Sequence, residues 1–294
     1  MTVWQAIADS IAAATGDKVI PGTPDGVGGG CINRAVRLAG SVRDYFVKLN
    51  AASRLEMFEA EAAGLDAIAR SETLRVPRPL CWGIEGGSAY LVLEYIPFGG
   101  GTPAGLDALG RGLAAMHRVS RDSFGWERDN TIGSTPQINT PHRDWPVFWR
   151  ERRLRYQLQL AASNGYGGRL QRDGERLLEA FPALFDGYRP PPSLLHGDLW
   201  SGNYAMDSVG EPVIFDPAVY YGDREADLAM TELFGGFGSR FYAAYGEAWP
   251  LDPGYGVRKR LYNLYHVLNH ANLFGAGYAS QAQHLIDSLL AELH

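Results

Sequence analysis

Cysteine is almost absent: Cys31 and Cys81 are the only two among 294 residues. That is too few for a disulfide scaffold or a four-thiolate zinc site, and it suits a reducing compartment. Basic charge is not in excess either. Lys and Arg number 27 against 33 Asp and Glu, a net charge of −6, which argues against the broad cationic footprint that duplex nucleic acid needs. No apolar run approaches the roughly 18 residues that cross a bilayer, and the N-terminus lacks the charged-then-apolar layout of a signal peptide. The cytoplasm is the expected location, with neither nucleic acid nor a membrane as partner. Internal repeats and low-complexity tracts are also missing. What is present, 46% apolar and 20% charged residues, is the composition of a globular protein long enough for one large domain or two lobes sharing a core.

Periodicity divides the chain. Val3, Trp4, Ile7, Ala8 and Ile11 recur at helical spacing and predict an amphipathic helix from Val3 to Ala14. A glycine-dense stretch, Gly26-Val27-Gly28-Gly29-Gly30-Cys31, precedes the alternating Ala35-Val36-Arg37-Leu38 and the β-rich Tyr45-Phe46-Val47-Lys48-Leu49. Leu55 to Arg70 returns to helical period, Pro77 and Pro79 break the chain, and Ala89 to Tyr95 is a further strand. Beyond Gly99-Gly100-Gly101-Thr102-Pro103 the pattern turns helical, at Leu106 to His117, Val147 to Ser163, Asp227 to Gly235, Val257 to Leu273 and Gln281 to Leu290. One β interlude interrupts it, Tyr204 to Met206 and Val213 to Asp216 around a turn, with Asp216 closing the second strand. The pattern predicts an α+β fold with two lobes, a small sheet lobe over 1–97 and a mainly helical lobe over 98–294.

Chemistry concentrates in His196-Gly197-Asp198-Leu199-Trp200-Ser201-Gly202-Asn203. An aspartate, an asparagine five residues later and Asp216 after a short hairpin place three oxygen-bearing side chains toward one spot. Asn203 and Asp216 are hard-oxygen ligands suited to Mg²⁺, which is usually held by one or two carboxylates together with substrate phosphates. Asp198 is left to orient a hydroxyl or take its proton. This order matches the catalytic and metal-binding loops of kinases. The upstream half supplies the complement. Lys48 sits on a strand about 18 residues beyond a glycine loop, as a phosphate-covering hairpin requires, and glycine lets backbone N–H groups approach phosphates. A helical wheel over Leu55 to Arg70 puts Glu61 on the apolar stripe between Ile68 and Leu65. A carboxylate there needs a cation, and Lys48 is the candidate.

Gly197 in place of the arginine of H-R-D, Pro217-Ala218 in place of Phe-Gly after Asp216, and the lack of an A-P-E triplet separate the chain from protein kinases. It resembles the small-molecule branch of the fold, the aminoglycoside phosphotransferase and choline kinase group. Within that group it is most similar to the fructosamine kinase, or ketosamine-3-kinase, family. The resemblance covers nearly the whole chain. It is carried by Gly29-Gly30-Cys31-Ile32, Phe46-Val47-Lys48, Met57 to Glu61, Phe124-Gly125, Asn130 to Gly133, Pro136 to Asn139, Asp144-Trp145, Leu195 to Asn203, Asp216-Pro217-Ala218 and Gly222 to Leu228. Thr140-Pro141-His142 departs from the family, which often has an aromatic residue near Pro141.

The resemblance implies a two-lobed kinase-like fold and ATP-dependent phosphorylation of the 3-hydroxyl of a ketosamine, free or carried on a glycated protein, whose unstable 3-phosphate then releases the amine. It implies that Gly28, Gly29, Gly30 and Cys31 cover the phosphates, that Lys48 paired to Glu61 holds them, and that the Glu94 carbonyl and Ile96 N–H pair with adenine. Asp198 would act on the acceptor, and Asn203 and Asp216 would hold Mg²⁺. His196 would anchor the catalytic loop and Asp227 would brace it, the latter otherwise being a simple helix-start carboxylate.

Trp200 has two readings, a platform for the sugar or amine of the substrate and packing between lobes. Cys31 is either an inert filler or a redox-sensitive thiol, which would allow a monomer or a disulfide-linked dimer. His266 and His270 read as core or surface histidines rather than half a zinc site, His117 as a helix-end core histidine, and the run Arg150, Arg152, Arg153, Arg155 as a solvated helix face. Two rival functions stand beside the main one: a kinase for another small alcohol or amino sugar, and a nucleotide-binding regulator that has lost catalysis.

Overall fold

The computed structural model describes residues 2–19, 25–26 and 33–293. Gly28, Gly29, Gly30 and Cys31 lie outside the described residues. The chain forms two compact units, Met1–Gly105 with Ala205–Pro217, and Leu106–Tyr204 with Ala218–His294.

The first unit opens with helix α1 (Val3–Thr15), whose N-cap Thr2 accepts the Gln5 N–H and whose end is closed by Gly16 in the left-handed conformation. Strands β1 (Asp25–Gly26), β2 (Arg34–Ala39) and β3 (Asp44–Ala51) follow. Then come helix α2 (Leu55–Ala69) and strands β4 (Pro79–Glu85) and β5 (Ser88–Glu94). The five strands form one antiparallel sheet in the order β1-β2-β3-β5-β4. Pro79 starts a strand where the proline spacing suggests only a break. It stands at the first residue of an edge strand, where a missing N–H costs the ladder nothing.

Strand alternation divides the residues of β3 between two faces. Tyr45, Val47 and Leu49 join Ile7, Ala8 and Ile11 of α1 in one core with Val36, Leu38, Tyr90 and Val92. Lys48 therefore points to the opposite face. Helix α2 packs on β4 and β5 and buries Phe58, Ala62, Leu65 and Ile68.

The second unit takes in most of α3 (Pro103–His117), the hairpin β6 (Asn130–Ile132) and β7 (Thr135–Gln137), and α4 (Trp145–Trp149). Helices α5 (Arg155–Ser163) and α6 (Arg169–Ala180) and strand β8 (Ser193–Leu195) come next. Strands β9 (Tyr204–Met206) and β10 (Pro212–Ile214) make the short hairpin, which apart from Tyr204 belongs to the first unit. Strand β11 (Tyr220–Gly222) then pairs with β8, and α7 (Glu225–Leu233), α8 (Ser239–Ala248), α9 (Tyr255–Phe274) and α10 (Ala276–Glu292) complete the chain.

The single helix expected from Val147 to Ser163 is interrupted by a π-helical turn over Arg150–Leu154. Trp149, Arg153 and Gln157 follow one another at four-residue spacing and are all buried, so Arg153 shares the inward face. This corrects the reading of the arginine run as wholly solvated: Arg153 is fully buried, 4.2 Å from the centre of the Tyr220 ring and 4.8 Å from that of Phe148. It donates to the Ile138 carbonyl (2.6 Å) and to Asn139 Oδ1 (2.7 Å). Ring faces and neutral oxygens replace water around the guanidinium.

Candidate active site

In the first unit, Lys48 Nζ donates to Glu61 Oε1 at 2.6 Å and to Asp216 Oδ1 at 2.5 Å. The lysine is buried and Glu61 nearly so, whereas the Asp216 side chain is 44% exposed. Burial by itself would lower the Lys48 ammonium, but the two carboxylates outweigh it and hold the group above its ordinary value. Glu61 moves up: burial raises its carboxyl, the Lys48 charge opposes this, and the Asp216 charge adds to it. One cation thus serves two carboxylates, and the more open of the two is the one able to exchange partners.

Asp216 does not end a strand, as the hairpin pattern suggests. Strand β10 stops at Ile214, and Asp216 lies two residues beyond it with φ +57°. A non-glycine residue in the left-handed region costs about 1 kcal/mol or more and marks a constrained turn. That turn delivers the carboxylate to Lys48. The hairpin itself is fixed within the first unit. Arg75 pairs with Asp207 (2.6 Å) and with Glu94 (2.9 Å), Ile214 N–H donates to the Arg75 carbonyl, and the Phe98 and Phe215 rings stack at 5.4 Å. Glu94 is the last residue of β5, where its N–H donates to the Arg78 carbonyl, and the neighbouring Ile96 is buried.

In the second unit, the segment from His196 to Asn203 is held by its backbone. The N–H groups of His196 and Gly197 donate to Asp227 Oδ2 (2.7 Å) and Oδ1 (2.8 Å), and the His196 carbonyl accepts from Ala218 N–H at 2.8 Å. Gly197 adopts φ +83°, and a Cβ there would stand 2.1 Å from the Ala218 carbonyl oxygen. Only glycine fits. The ring of His196 accepts the Asp198 N–H through Nδ1 at 3.2 Å. Asn203 Nδ2 donates to the Asp198 carbonyl at 2.8 Å and lies 3.5 Å from Asp198 Oδ2. Its amide nitrogen is thereby spent within the loop, and Oδ1 is the atom it can offer a cation.

Asp227 is buried, yet its carboxyl lies below the usual range. Burial opposes ionisation, and the hydrogen bonds from His117 and the loop N–H groups, with the nearby histidines, overcome it. His117, also buried, bonds Asp227 through Nε2 (3.2 Å) and Tyr245 through Nδ1 (2.9 Å). With its own pKa lowered by burial, the ring is neutral near pH 7. It donates from Nε2 to the carboxylate and accepts the Tyr245 hydroxyl at Nδ1. Arg224 in turn donates to the Tyr245 oxygen at 3.1 Å. His117 is the helix-end core histidine that the sequence pattern predicts, and the pattern does not carry its bond to Asp227. Its one signal was a polar ring ending an apolar helix, and its partner lies 110 residues away.

The start of α7 is anchored by charges taken out of water. Glu225 forms a two-pronged pair with Arg258 (2.8 and 3.0 Å). Asp223 accepts from Tyr262 (2.5 Å) and Tyr188 (3.0 Å). Burial pushes the Asp223 carboxyl up against those donors. Trp145, from the Asp144-Trp145 pair, donates its indole N–H to the Tyr262 oxygen at 3.0 Å.

The folded chain brings together Lys48, Glu61 and Asp216, and separately His196, Asp198, Asn203 and Asp227. Trp200 is 38% exposed, edge-on to Phe234 at 6.3 Å and so close to its own loop that a Cβ at Gly202 would meet two ring carbons at 2.4 Å. Cys81 is a half-buried thiol on β4, pushed up to about 11 by burial and therefore unreactive at neutral pH. Among the described residues, no helix is long and apolar enough to cross a membrane.

Comparison with known proteins adds identity to this geometry. The family model described as fructosamine kinase matches residues 3–292. A probable ketoamine kinase of Synechocystis sp. is 49% identical over 288 residues, covering 98% of this chain and 97% of that protein. The chloroplastic protein-ribulosamine 3-kinase of Arabidopsis thaliana is 48% identical over 270 residues, covering 91% of this chain and 82% of that protein. A crystal structure from Haemophilus somnus, provisionally named a fructosamine-3-kinase, superposes with a TM-score of 0.90 at 29% identity, covering 98% of this chain and 97% of the other. An aminoglycoside phosphotransferase solved with AMP-PNP and hygromycin B shares the fold alone, with a TM-score of 0.60 at 17% identity over 97% of this chain and 98% of the other.

Proposed function

The chain belongs to the fructosamine kinase family, and from that premise we propose that it transfers the γ-phosphoryl group of ATP to the 3-hydroxyl of a ketosamine, free or protein-linked, which leads to release of the amine. The observation that carries this reading is the loop from His196 to Asn203. It holds a carboxylate and an amide oxygen donor in a backbone fixed by Asp227 and Ala218. Such preorganisation is what phosphoryl transfer demands, because the reaction is governed by positioning and electrostatics.

In this reading Asp198 accepts the proton of the acceptor hydroxyl and aligns its oxygen for in-line attack. Lys48 exchanges part of its contact with Asp216 for the α- and β-phosphates while Glu61 keeps the ammonium in place. Asn203 Oδ1 and the half-exposed Asp216 carboxylate are hard oxygens of the kind Mg²⁺ takes. The metal, when bound, neutralises charge on the transferring phosphates. Residues 28–31 would cover those phosphates, and the backbone at Glu94 and Ile96 would meet the adenine. A reducing compartment such as the cytoplasm suits a chain with two cysteines.

The deciding experiment is a coupled ATPase assay against ribulosamine, fructosamine, erythrulosamine and an aminoglycoside. Turnover with a ketosamine supports the proposal. Turnover with the aminoglycoside alone would replace it with an amino-sugar kinase, and ATP binding without turnover on any acceptor would indicate a regulator.

A further inference from the structure

Trp200 is the first member of a longer aromatic run in the second unit. Phe234 lies edge-on to it at 6.3 Å, the His270 ring is 4.8 Å from Phe234, and Phe274 and Tyr278 lie 5.4 and 5.1 Å from His270. The run is not core packing throughout, since Trp200 and Phe274 are 38% and 55% exposed. Helix α7 ends at Leu233 just before Phe234, α9 presents His270 and Phe274, and α10 adds Tyr278. His270 Nδ1 lies 2.8 Å from the His266 carbonyl, which can only accept. The proton is therefore on Nδ1, and Nε2 carries the lone pair. Burial lowers the pKa of this ring, so it is neutral near pH 7. The run thus offers π faces and one nitrogen acceptor, with no positive charge among its members.

We infer that this run is the subsite for the amine side of the ketosamine, binding the secondary ammonium and the alkyl chain it carries. The inference rests on the ketosamine kinase reading. The ammonium nitrogen of such a substrate is three bonds from the carbon bearing the reacting hydroxyl, and Trp200 follows Asp198 by two residues. A cation with an aliphatic tail is what aromatic faces and a neutral imidazole attract, and a neutral sugar would gain little from them. The run reads what the sugar is attached to, while the Asp198 loop reads the hydroxyl.

The test is calorimetric binding of two probes that cannot be phosphorylated: a 3-deoxy ribulosamine of hexylamine, and the same 3-deoxy ketose joined to hexanol through oxygen. Phe274→Ala should weaken the amine probe by roughly threefold to thirtyfold, the span of one cation–π contact, and the ether probe by less than about twofold. His270→Lys should weaken the amine probe further by placing like charges together, and His270→Gln, which keeps an acceptor, should restore most of that loss. Equal weakening of both probes, no weakening of either, or failure of the wild type to bind the amine probe would overturn the inference. Selective binding by a wild type that does not phosphorylate the 3-hydroxy parent would support the subsite and refute the reaction.

Discussion

Two buried ionic nodes solve opposite problems. At Lys48 one cation is shared by two carboxylates, one nearly buried and one half-open. At Asp227 one carboxylate is shared by two backbone N–H groups and a neutral imidazole, all buried. The first node has an excess anionic partner on its open side, and in the proposed reading a phosphate and a metal would enter there by exchange. The second has its acceptors filled by short, fixed donors, and nothing about it invites exchange. A kinase needs both kinds: one to accept a changing ligand charge, and one to keep the reacting loop still while the charge changes.

The largest test of this contrast is at the loop that the second node holds. Asp198→Asn should lower kcat by about 10²- to 10⁴-fold and leave the affinity for ATP within about twofold, as measured by steady-state kinetics and nucleotide titration. Retention of more than about a tenth of turnover would remove Asp198 from its role. Next, Asp216→Ala should cost about a thousandfold in kcat, the equivalent of several kcal/mol of lost charge stabilisation. Excess Mg²⁺ should not restore it, and thermal stability should hold because the Lys48–Glu61 pair remains. Full rescue by Mg²⁺ would reduce Asp216 to an affinity contact.

Asp227→Ala should do the reverse and act first on the fold. It strands the N–H groups of His196 and Gly197 away from water, a cost of about 3 kcal/mol, visible in chemical denaturation. An unchanged denaturation midpoint would break the contrast.

The smallest effect is expected at Asp17. This carboxylate accepts from Ser41, Val42 and Tyr45, led by the Ser41 hydroxyl, and its pKa falls from 3.8 to about 2. The folded chain binds this proton more weakly than the unfolded one. The stabilisation is therefore full above the ordinary value and fades as pH falls toward about 2. Asp17→Asn should flatten the acid limb of a stability–pH curve in that window and leave the Lys48 node untouched.

The two nodes were not equally legible in the sequence. Lys48 and Glu61 could be paired beforehand because each breaks a local pattern: a lysine on a buried strand and a glutamate on an apolar helical stripe, close enough in the chain to meet. The resemblance, not periodicity, points to Asp227 as a brace, and the bond His117 makes to it has no local signal because the two lie 110 residues apart. Sequence spacing alone could not place Asp216, since a left-handed φ at a non-glycine residue leaves no compositional trace. Arg153 is a different case: its spacing from Trp149 and Gln157 puts it on the inward face, while its charge reads as solvent-seeking. The Tyr220 ring and the Ile138 and Asn139 oxygens that receive it come from other segments and leave no mark on the arginine run. Periodicity finds β2, β3, β5 and the long helices; it misses β4, which the prolines disguise as a break, the helices α6 and α8, and the strands β6, β7, β8 and β11, whose three residues are too few to carry a period.

The discontinuity of the first unit bears on how the chain is made. Its sheet is complete in sequence by Glu94, but Arg75 has no Asp207, Phe98 no Phe215 and Lys48 no Asp216 until the ribosome reaches Pro217. The interval from residue 105 to residue 205 corresponds to roughly 5–20 s of synthesis at ordinary rates. During it the nascent sheet carries a phenylalanine without its stacking partner and a buried lysine with half its counter-charge. Cutting the chain after Gly105 would make that waiting state permanent, so the first unit should be recoverable as a folded fragment only when residues 205–217 are supplied with it.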